Sequence, residues 1–536
     1  MKMIKLQINN REIECKPETR LLDAAQQAGF AIPTMCYLEG LPHFTSCMIC
    51  VVQDMKTGRM LPSCSLQAAE GMVIETDNEA VQNARREALE LLMSDHVGDC
   101  VAPCQRTCPA HMNIPMMNLH IEAGRDHEAL VTVKEHIALP AVLGRICPAP
   151  CEKNCRRDSV DSSISICSLK CYVADQDLLS GSPYLPERKA PSGKTVGIIG
   201  CGPAGLAAAY HLQQFGHACT IFDDHAEPGG MLRYGIPEDV LPRNILDAEI
   251  DVIRLLGAKF EMNRRVGKDI SVAEVRQSFD AVVLAMGPVE VAELEPFEVE
   301  TTPKTVRVDS ETFATSVAGI YAGGGIINPG KLAIRSVGHG RSIAIAIDNY
   351  LTRRSLPVLN SRSQSRIAKV EEHELRILSA SMENLKAATF ERKFDNEAMS
   401  GVSVGVTSAQ AVTEAAKCIQ CGCASFHHCK LRIYSEQYGA NSKRYKGEMR
   451  RPLKRVFDHP YVVYEPGKCI QCGLCVRITE KEKNKLGLTF IGRGFEVRVD
   501  AALEGTMDAG LAQAAADCVD ACPSGALEFK SRFCYK

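Results

Sequence analysis

The sequence predicts a multidomain chain mixing α/β and α+β folds, and three observations carry that reading. Its 536 residues exceed what one hydrophobic core serves. Its 25 cysteines fall mostly in tight groups. Residues 195–225, "TVGIIGCGPAGLAAAYHLQQFGHACTIFDDH", read as a strand, a glycine-rich turn, a helix and a second strand ending in acid. The net charge of −3 gives no electrostatic footprint for nucleic acid or an anionic membrane. No stretch approaches the roughly 18 to 20 apolar residues of a membrane span, and the charged start is no signal peptide. The expectation is a cytoplasmic chain without nucleic-acid or membrane partners. Structural disulfides are rare in a reducing cytosol, so the grouped thiols point to metal.

Residues 1–78 read as a small β-rich unit. "MIKLQINNREIEC" is a hairpin candidate turning at Asn9-Asn10, and "TRLLDAAQQAG" is a short helix closed by Gly29. "EAVQNARREALELLMSDH" follows as a helix, with Val81, Ala84, Ala88, Leu91 and Leu92 on one face. Cys-rich helical material then runs to 180, so that 79–180 forms one unit. A nucleotide unit occupies 190–352, a polar connector 353–415, a Cys-rich segment 416–440 and a last unit 441–536. "KCIQCG" occurs twice, at 417–422 and 468–473.

Cys36, Cys47, Cys50 and Cys64 are spaced C-x10-C-x2-C-x13-C. Zinc sites usually pair two short C-x2-C knuckles, so the spacing favours [2Fe–2S] ligation over zinc. This stretch resembles the N-terminal ferredoxin domain of the large iron–sulfur subunit of complex I and of related hydrogenases and formate dehydrogenases. The resemblance implies a β-grasp [2Fe–2S] domain.

"HVGDCVAPCQRTCPAHMNIP" and "LGRICPAPCEKNCRRDSVDSSISICSLKCYVADQ" supply Cys100, Cys104, Cys108, Cys147, Cys151, Cys155, Cys167 and Cys171. Eight thiolates suffice for two [4Fe–4S] clusters. The region is similar to the N-terminal domain of the glutamate synthase small subunit and of dihydropyrimidine dehydrogenase. Carried over from that family, Cys100, Cys104 and Cys155 serve one cluster, and Cys108, Cys147 and Cys151 the other. His96 stands where complex I relatives place a ligating histidine, which makes it the expected fourth ligand of the first cluster; its alternative is a solvated histidine at a helix end. Cys167 is the expected fourth ligand of the second cluster, with Cys171 as a substitute.

In the nucleotide unit, "GCGPAG" supplies Gly200, Gly202, Pro203, Ala204 and Gly205, a turn that lets a pyrophosphate approach a helix N-terminus. Asp223 is placed to bind a ribose. Gly229, Gly230, Met231 and Arg233 in "EPGGMLRYGIP", Gly287 closing "FDAVVLAMG", and Gly324 and Gly325 in "GIYAGGG" resemble the later motifs of FAD-binding reductases. That likeness implies FAD, held by a Rossmann-like domain. In those reductases Gly325's place carries an acid, and a second Rossmann domain for NADPH is inserted after the second motif. Only 31 residues lie between Gly287 and Gly319. A βαβ unit alone needs about 30, so no inserted NAD(P) domain fits.

"KCIQCGLCVRIT" and "DCVDACPSGAL" resemble a bacterial ferredoxin, with Cys469, Cys472, Cys475 and Cys522 as ligands of one [4Fe–4S] cluster. Thr479 stands where a two-cluster ferredoxin has a cysteine, and Cys518 is left unligated. "KCIQCGCASFHHCKLR" offers Cys418, Cys421, Cys423 and Cys429 for a further [4Fe–4S] cluster or for a zinc knuckle, which His427 or His428 could join. Cys15, Cys201, Cys219, Cys518 and Cys534 read as ordinary buried thiols.

No nucleophile with an attendant histidine and no acid–base pair stands out. One FAD, one [2Fe–2S] and about four [4Fe–4S] clusters imply electron transfer. The resemblances imply a subunit of an NAD(P)-linked oxidoreductase complex. Its partners would be an NAD(P)H-binding flavoprotein subunit, a hydrogenase or formate dehydrogenase-type catalytic subunit, or ferredoxin, with terminal chemistry on a partner. The alternative is a self-contained FAD-dependent NAD(P)H:acceptor oxidoreductase of glutamate-synthase-small-subunit type. A metal-stapled scaffold without redox duty is the third reading.

Overall fold

The computed structural model describes residues 3–533 apart from 43, 331, 354–362, 368, 390–405, 448–449, 483–486 and 504. Cys534 and much of the 353–415 connector lie outside the described residues. The chain divides into two compact units: residues 1–102, 359–391 and 419–536 form the first, and 103–358 with 392–418 the second.

The first unit opens with strands β1 (Ile4–Ile8) and β2 (Arg11–Cys15), paired antiparallel with Ile8 opposite Arg11. Asn9 and Asn10 both take positive φ, +47° and +61°, as a two-residue hairpin turn requires. Strands β3 (Val51–Asp54), β4 (Met60–Pro62) and β5 (Val73–Glu75) complete a mixed sheet in the order β2-β1-β5-β3-β4. Helix Leu21–Gln27 buries Leu21, Leu22, Ala24 and Ala25, in a core shared with Leu6, Ile8, Val52 and Ile74. Gly29, at φ +86°, turns the chain after it.

Helix Glu79–Ser94 is capped by Asn78, whose side chain accepts the Val81 N–H at 2.9 Å. Its buried stripe is Val81, Arg85, Leu89 and Met93, and Leu91 points to solvent. The hydrophobic pattern misplaces this face because it cannot count an arginine as core. Arg85 is buried because its guanidinium donates to the Val51 carbonyl and to the Tyr438 hydroxyl, both at 2.9 Å. A second core of this unit joins Met35, Ile49, Leu89 and Met93 to Leu431, Val462, Leu474 and Leu511. Two antiparallel ribbons close the C-terminal part, Val462–Tyr464 with Leu527–Phe529 and Leu488–Ile491 with Arg498–Ala501.

The second unit begins with short helices, among them Ile114–Glu122, Asp126–Lys134, Pro140–Ile146 and Ile166–Leu179. They share one core with a parallel sheet of strands β6 (Thr195–Ile199), β7 (Ala218–Phe222), β8 (Lys259–Glu261), β9 (Ala281–Leu284) and β10 (Ile320–Ala322). The strand order is β10-β9-β6-β7-β8, and every neighbouring pair is parallel. Buried Glu249 fixes the helical layer: its carboxylate accepts the free N–H groups of Ala141 and Val142 at 2.8 and 2.9 Å. Between β9 and β10 the chain forms one 3₁₀ helix, Val291–Phe297, and no strand. No helix among the described residues is long and apolar enough to cross a membrane.

Candidate functional site

The glycine-rich turn sits between β6 and helix Pro203–Gln214. Each glycine there has a different physical reason. Gly200 has φ +107° and lies against the Ala285–Met286 backbone, where a Cβ would come within 2.4 Å of Ala285 O. A Cβ on Gly205 would meet Gly200 O at 2.0 Å. At Gly202, by contrast, a Cβ would meet nothing within 4 Å. The turn is therefore tight beneath and open above the helix N-terminus that begins at Pro203 and Ala204, which is the cradle a pyrophosphate needs. Asp223, just past β7, ties itself to the turn: one oxygen accepts the Cys201 N–H at 2.6 Å and the other the His225 N–H at 3.0 Å.

The later motifs gather around the same turn. A Cβ on Gly230 would lie 2.8 Å from the Gly202 Cα, and Gly229 N–H donates to Cys201 O at 3.0 Å. Met231 stands exposed beside them, while Arg233 is held by the Pro228 carbonyl and by Asp247. A Cβ on Gly324 would meet the Ala204 side chain at 3.0 Å. On Gly325 it would strike Pro288 at 2.9 Å, immediately after Gly287. That contact accounts for the missing acid: no side chain fits at 325 while Pro288 stays in place.

Within the first unit the structure draws the first cysteine quartet together. Cys36 interacts with Cys47 and Cys64, and Cys50 with Cys64. These hydrogen bonds hold Cys36 below the ordinary thiol value and bring Cys50 down to about 7. Cys469, Cys472, Cys475 and Cys522 form a second group, all close enough to influence Cys475 or Cys472 electrostatically. Burial lifts Cys469 to about 11. Cys518 turns its Sγ to the Cys475 carbonyl at 3.8 Å. Thr479 is fully buried, donating to the Cys475 and Val476 carbonyls and accepting the Leu488 N–H. In the repeated "KCIQCG" segments Gln420 and Gln471 both take positive φ, +49° and +55°, but the glycines that follow differ, Gly473 being at +70° and Gly422 outside the left-handed region.

In the second unit Cys108, Cys147, Cys151 and Cys167 converge. The Cys167 thiol hydrogen-bonds Cys147 and brings it down to about 7, while Cys151 is pushed up by burial and by Cys167 and Cys108. Lys170, 3% exposed, points its ammonium at the Cys167 Sγ, 3.8 Å away. Burial works against its charge, yet the sulfurs of Cys167, Cys147, Cys151 and Cys108 hold its pKa above the ordinary lysine value. Cys171, one turn on, faces Arg145 at 3.3 Å and Asp175 at 3.5 Å.

The remaining donors are distributed in a way the sequence does not show. Cys100 falls in the first unit, Cys104 and Cys155 in the second. Cys100 neighbours Cys423 and Cys429, whereas Cys155 neighbours Cys418. Cys421 is partly buried in the first unit. His96 is buried, not solvated at a helix end. Its Nδ1 has no hydrogen-bond partner, and burial drives its pKa down to about 3, so the ring is neutral. Buried Cys15, Cys201 and Cys219 touch none of the groups above through their sulfurs among the described contacts.

Zinc held by thiolates at about 2.3 Å brings its sulfurs to within about 4 Å of one another. Among the described residues no three cysteines have sulfurs all within 4.8 Å. The sulfurs approach one another in pairs, as Cys36 does with Cys47 and with Cys64 and Cys147 with Cys167.

Family models match four stretches of the chain. They are the 2Fe-2S iron-sulfur cluster binding domain over residues 1–79, and dihydropyrimidine dehydrogenase domain II, 4Fe-4S cluster, over 74–181. The other two are the NAD(P)-binding Rossmann-like domain over 198–248 and the NADH-quinone oxidoreductase subunit 3, ferredoxin-like domain, over 459–528. The chain is 42% identical over 207 residues to NADP(+)-dependent formate dehydrogenase subunit beta of Moorella thermoacetica, covering 35% of this chain and 29% of that one. It is 43% identical over 188 residues to NADPH-Fe(3+) oxidoreductase subunit beta of Geobacter sulfurreducens, covering 35% and 28%. To the glutamate synthase [NADPH] small chain of Bacillus subtilis it is 37% identical over 182 residues, covering 34% and 36%. The chain thus matches about a third of the length of each of these relatives.

Proposed function

We propose that this chain is an electron-transfer subunit, an iron–sulfur flavoprotein that passes electrons between one FAD and a set of iron–sulfur clusters toward partner subunits. The observation that carries the reading is one chain holding both an open glycine-rich cradle at Gly202 and several groups of converging cysteines. When bound, the flavin exchanges two electrons at once and the clusters one at a time, so together they divide a hydride equivalent into single electrons. The protein's own part is positional. Gly200, Gly202 and Gly205 admit the pyrophosphate, Asp223 and the Gly229-Gly230 turn wall the cradle, and Gly287, Gly324 and Gly325 let the chain pass close beside it. The β-grasp domain holds the [2Fe–2S] cluster on Cys36, Cys47, Cys50 and Cys64. Cys108, Cys147, Cys151 and Cys167 hold one [4Fe–4S] cluster, and Cys469, Cys472, Cys475 and Cys522 another. Cys171, engaged by Arg145 and Asp175, serves as a neighbour of the Cys108, Cys147, Cys151 and Cys167 group and not as its ligand.

The chain works in a cytoplasmic complex whose nicotinamide site and terminal catalyst lie on other subunits, a hydrogenase or formate dehydrogenase-type protein among the candidates. Hydride delivery requires a nicotinamide stacked on the flavin, and the segment between β9 and β10 offers no domain to hold one. The isolated, anaerobically purified chain should contain flavin, bleach with dithionite and respond poorly to NADPH or NADH. A partner bearing a nicotinamide site should restore pyridine-nucleotide reduction. Rapid stoichiometric bleaching of the isolated chain by NADPH would favour the self-contained reductase instead.

A further inference from the structure

Cys100 and the 418–429 segment read as parts of two different sites in the sequence, yet three of their sulfurs meet in the first unit. Cys100 lies just past helix Glu79–Ser94, anchored by its N–H to the Ser365 carbonyl at 3.1 Å. The Cys423 N–H donates to the Cys100 carbonyl at 3.4 Å, and Gly422 lies against Ala102. Cys423 is close enough to act on Cys100, and both Cys423 and Cys100 act on Cys429. Cys429 is 5% exposed; its Sγ takes the Arg432 N–H at 3.4 Å and faces Pro523 O at 3.7 Å.

A rigid polar frame holds the segment in place. Arg455, itself buried, donates to Ile419 O at 2.7 Å and Gln420 O at 2.6 Å, and its Nε bonds Glu465 at 2.8 Å. Glu465 also pairs with Lys468, which is 3% exposed and acts electrostatically on Cys423. A buried ammonium beside three converging thiols is the charge arrangement that anionic thiolates require.

We propose that Cys100, Cys423 and Cys429 are ligands of one and the same [4Fe–4S] cluster. The 418–429 segment is then no self-contained knuckle: it shares its thiols between this site and Cys155, which neighbours Cys418 in the second unit. Three thiols lose their protons on ligation, and no redox step is needed. The cluster clasps the first unit where the chain leaves it after Ala102 and re-enters it at Ile419. This inference rests on the reading that the cysteine groups hold iron–sulfur clusters.

The full-length chain should be purified anaerobically as wild type, Cys100→Ser, Cys423→Ser and the double variant, with iron counted and the dithionite-reduced EPR spectrum recorded. Each single variant should lose about four irons and the same EPR signal, and the double variant should lose no more than either single. The [2Fe–2S] signal must persist in all three as the measure that the unit is folded. A double variant short of about eight irons, or two single variants lacking different signals, overturns the shared cluster. Cys429→Ala paired with Cys423→Ser applies the same non-additivity criterion where Cys100→Ser does not fold. A wild type without iron fails the iron–sulfur reading itself, an outcome distinct from additive losses.

Discussion

Lys170 offers a perturbation whose size can be worked from the structure. Its ammonium is 3.8 Å from the Cys167 Sγ, and Cys108, Cys147 and Cys151 share its surroundings. Replacing it in Lys170→Met keeps the volume and removes one fixed positive charge. An added electron spreads over the metal–sulfur core, so its effective distance is about twice that contact. At roughly 7.6 Å and an effective dielectric of about 20, the interaction is about 2 kcal/mol, or about 90 mV for one electron. EPR-monitored potentiometric titration of the anaerobic protein should therefore show one [4Fe–4S] signal moved down by about 90 mV, with the other midpoints in place. A shift below about 20 mV would refute the placement of that charge at the cluster, because no plausible screening of a buried pair removes four-fifths of the effect.

The remaining expectations are local. Gly202→Val should abolish flavin while leaving the EPR signals, since a branched side chain enters the open cradle; Gly205→Ala, where a Cβ meets Gly200 O at 2.0 Å, should lower the thermal midpoint as well. Glu249 is raised to about 7 by burial, against the pull of the Val142 and Ala141 N–H groups. The folded state thus favours the protonated acid, and this contribution to stability is full below pH 4.5 and lost as pH rises toward 7. Thermal midpoints measured from pH 5 to 8 should fall less steeply in Glu249→Gln than in the wild type. Glu465→Ala leaves Arg455 and Lys468 buried side by side without their carboxylate, and anaerobic thermal unfolding should show a loss of about 3–5 kcal/mol.

What the sequence discloses and what it conceals divide along the range of the interactions. The Asn9-Asn10 hairpin and the 200–205 turn are legible because each is set by a few adjacent residues with special backbone needs. The same holds for the Cys469–Cys475 run, whose spacing alone brings three sulfurs to a loop and the first turn of the helix Leu474–Glu482 that follows it. Helix Glu79–Ser94 is legible as a helix, but its buried face depends on Arg85 finding Val51 O and Tyr438, and Tyr438 is 353 residues away. The partnership of Cys100 with Cys423 is of the same kind, set by the Arg455–Glu465–Lys468 frame. No local spacing announces it. Gly325 shows the reverse case: the residue expected there from resemblance is an acid, and the reason it cannot be one is Pro288 overhead.

The central claim, that this chain stores and relays electrons through a flavin and several clusters, is tested most directly by counting electrons. An anaerobic dithionite titration of the purified chain, followed by visible absorbance, reports how many equivalents each molecule accepts. Two electrons for the flavin and one for each of the four clusters assigned above give about six per chain, with the broad iron–sulfur absorbance bleaching over most of the titration. An end point at about two, with no absorbance beyond the flavin bands, would contradict the account.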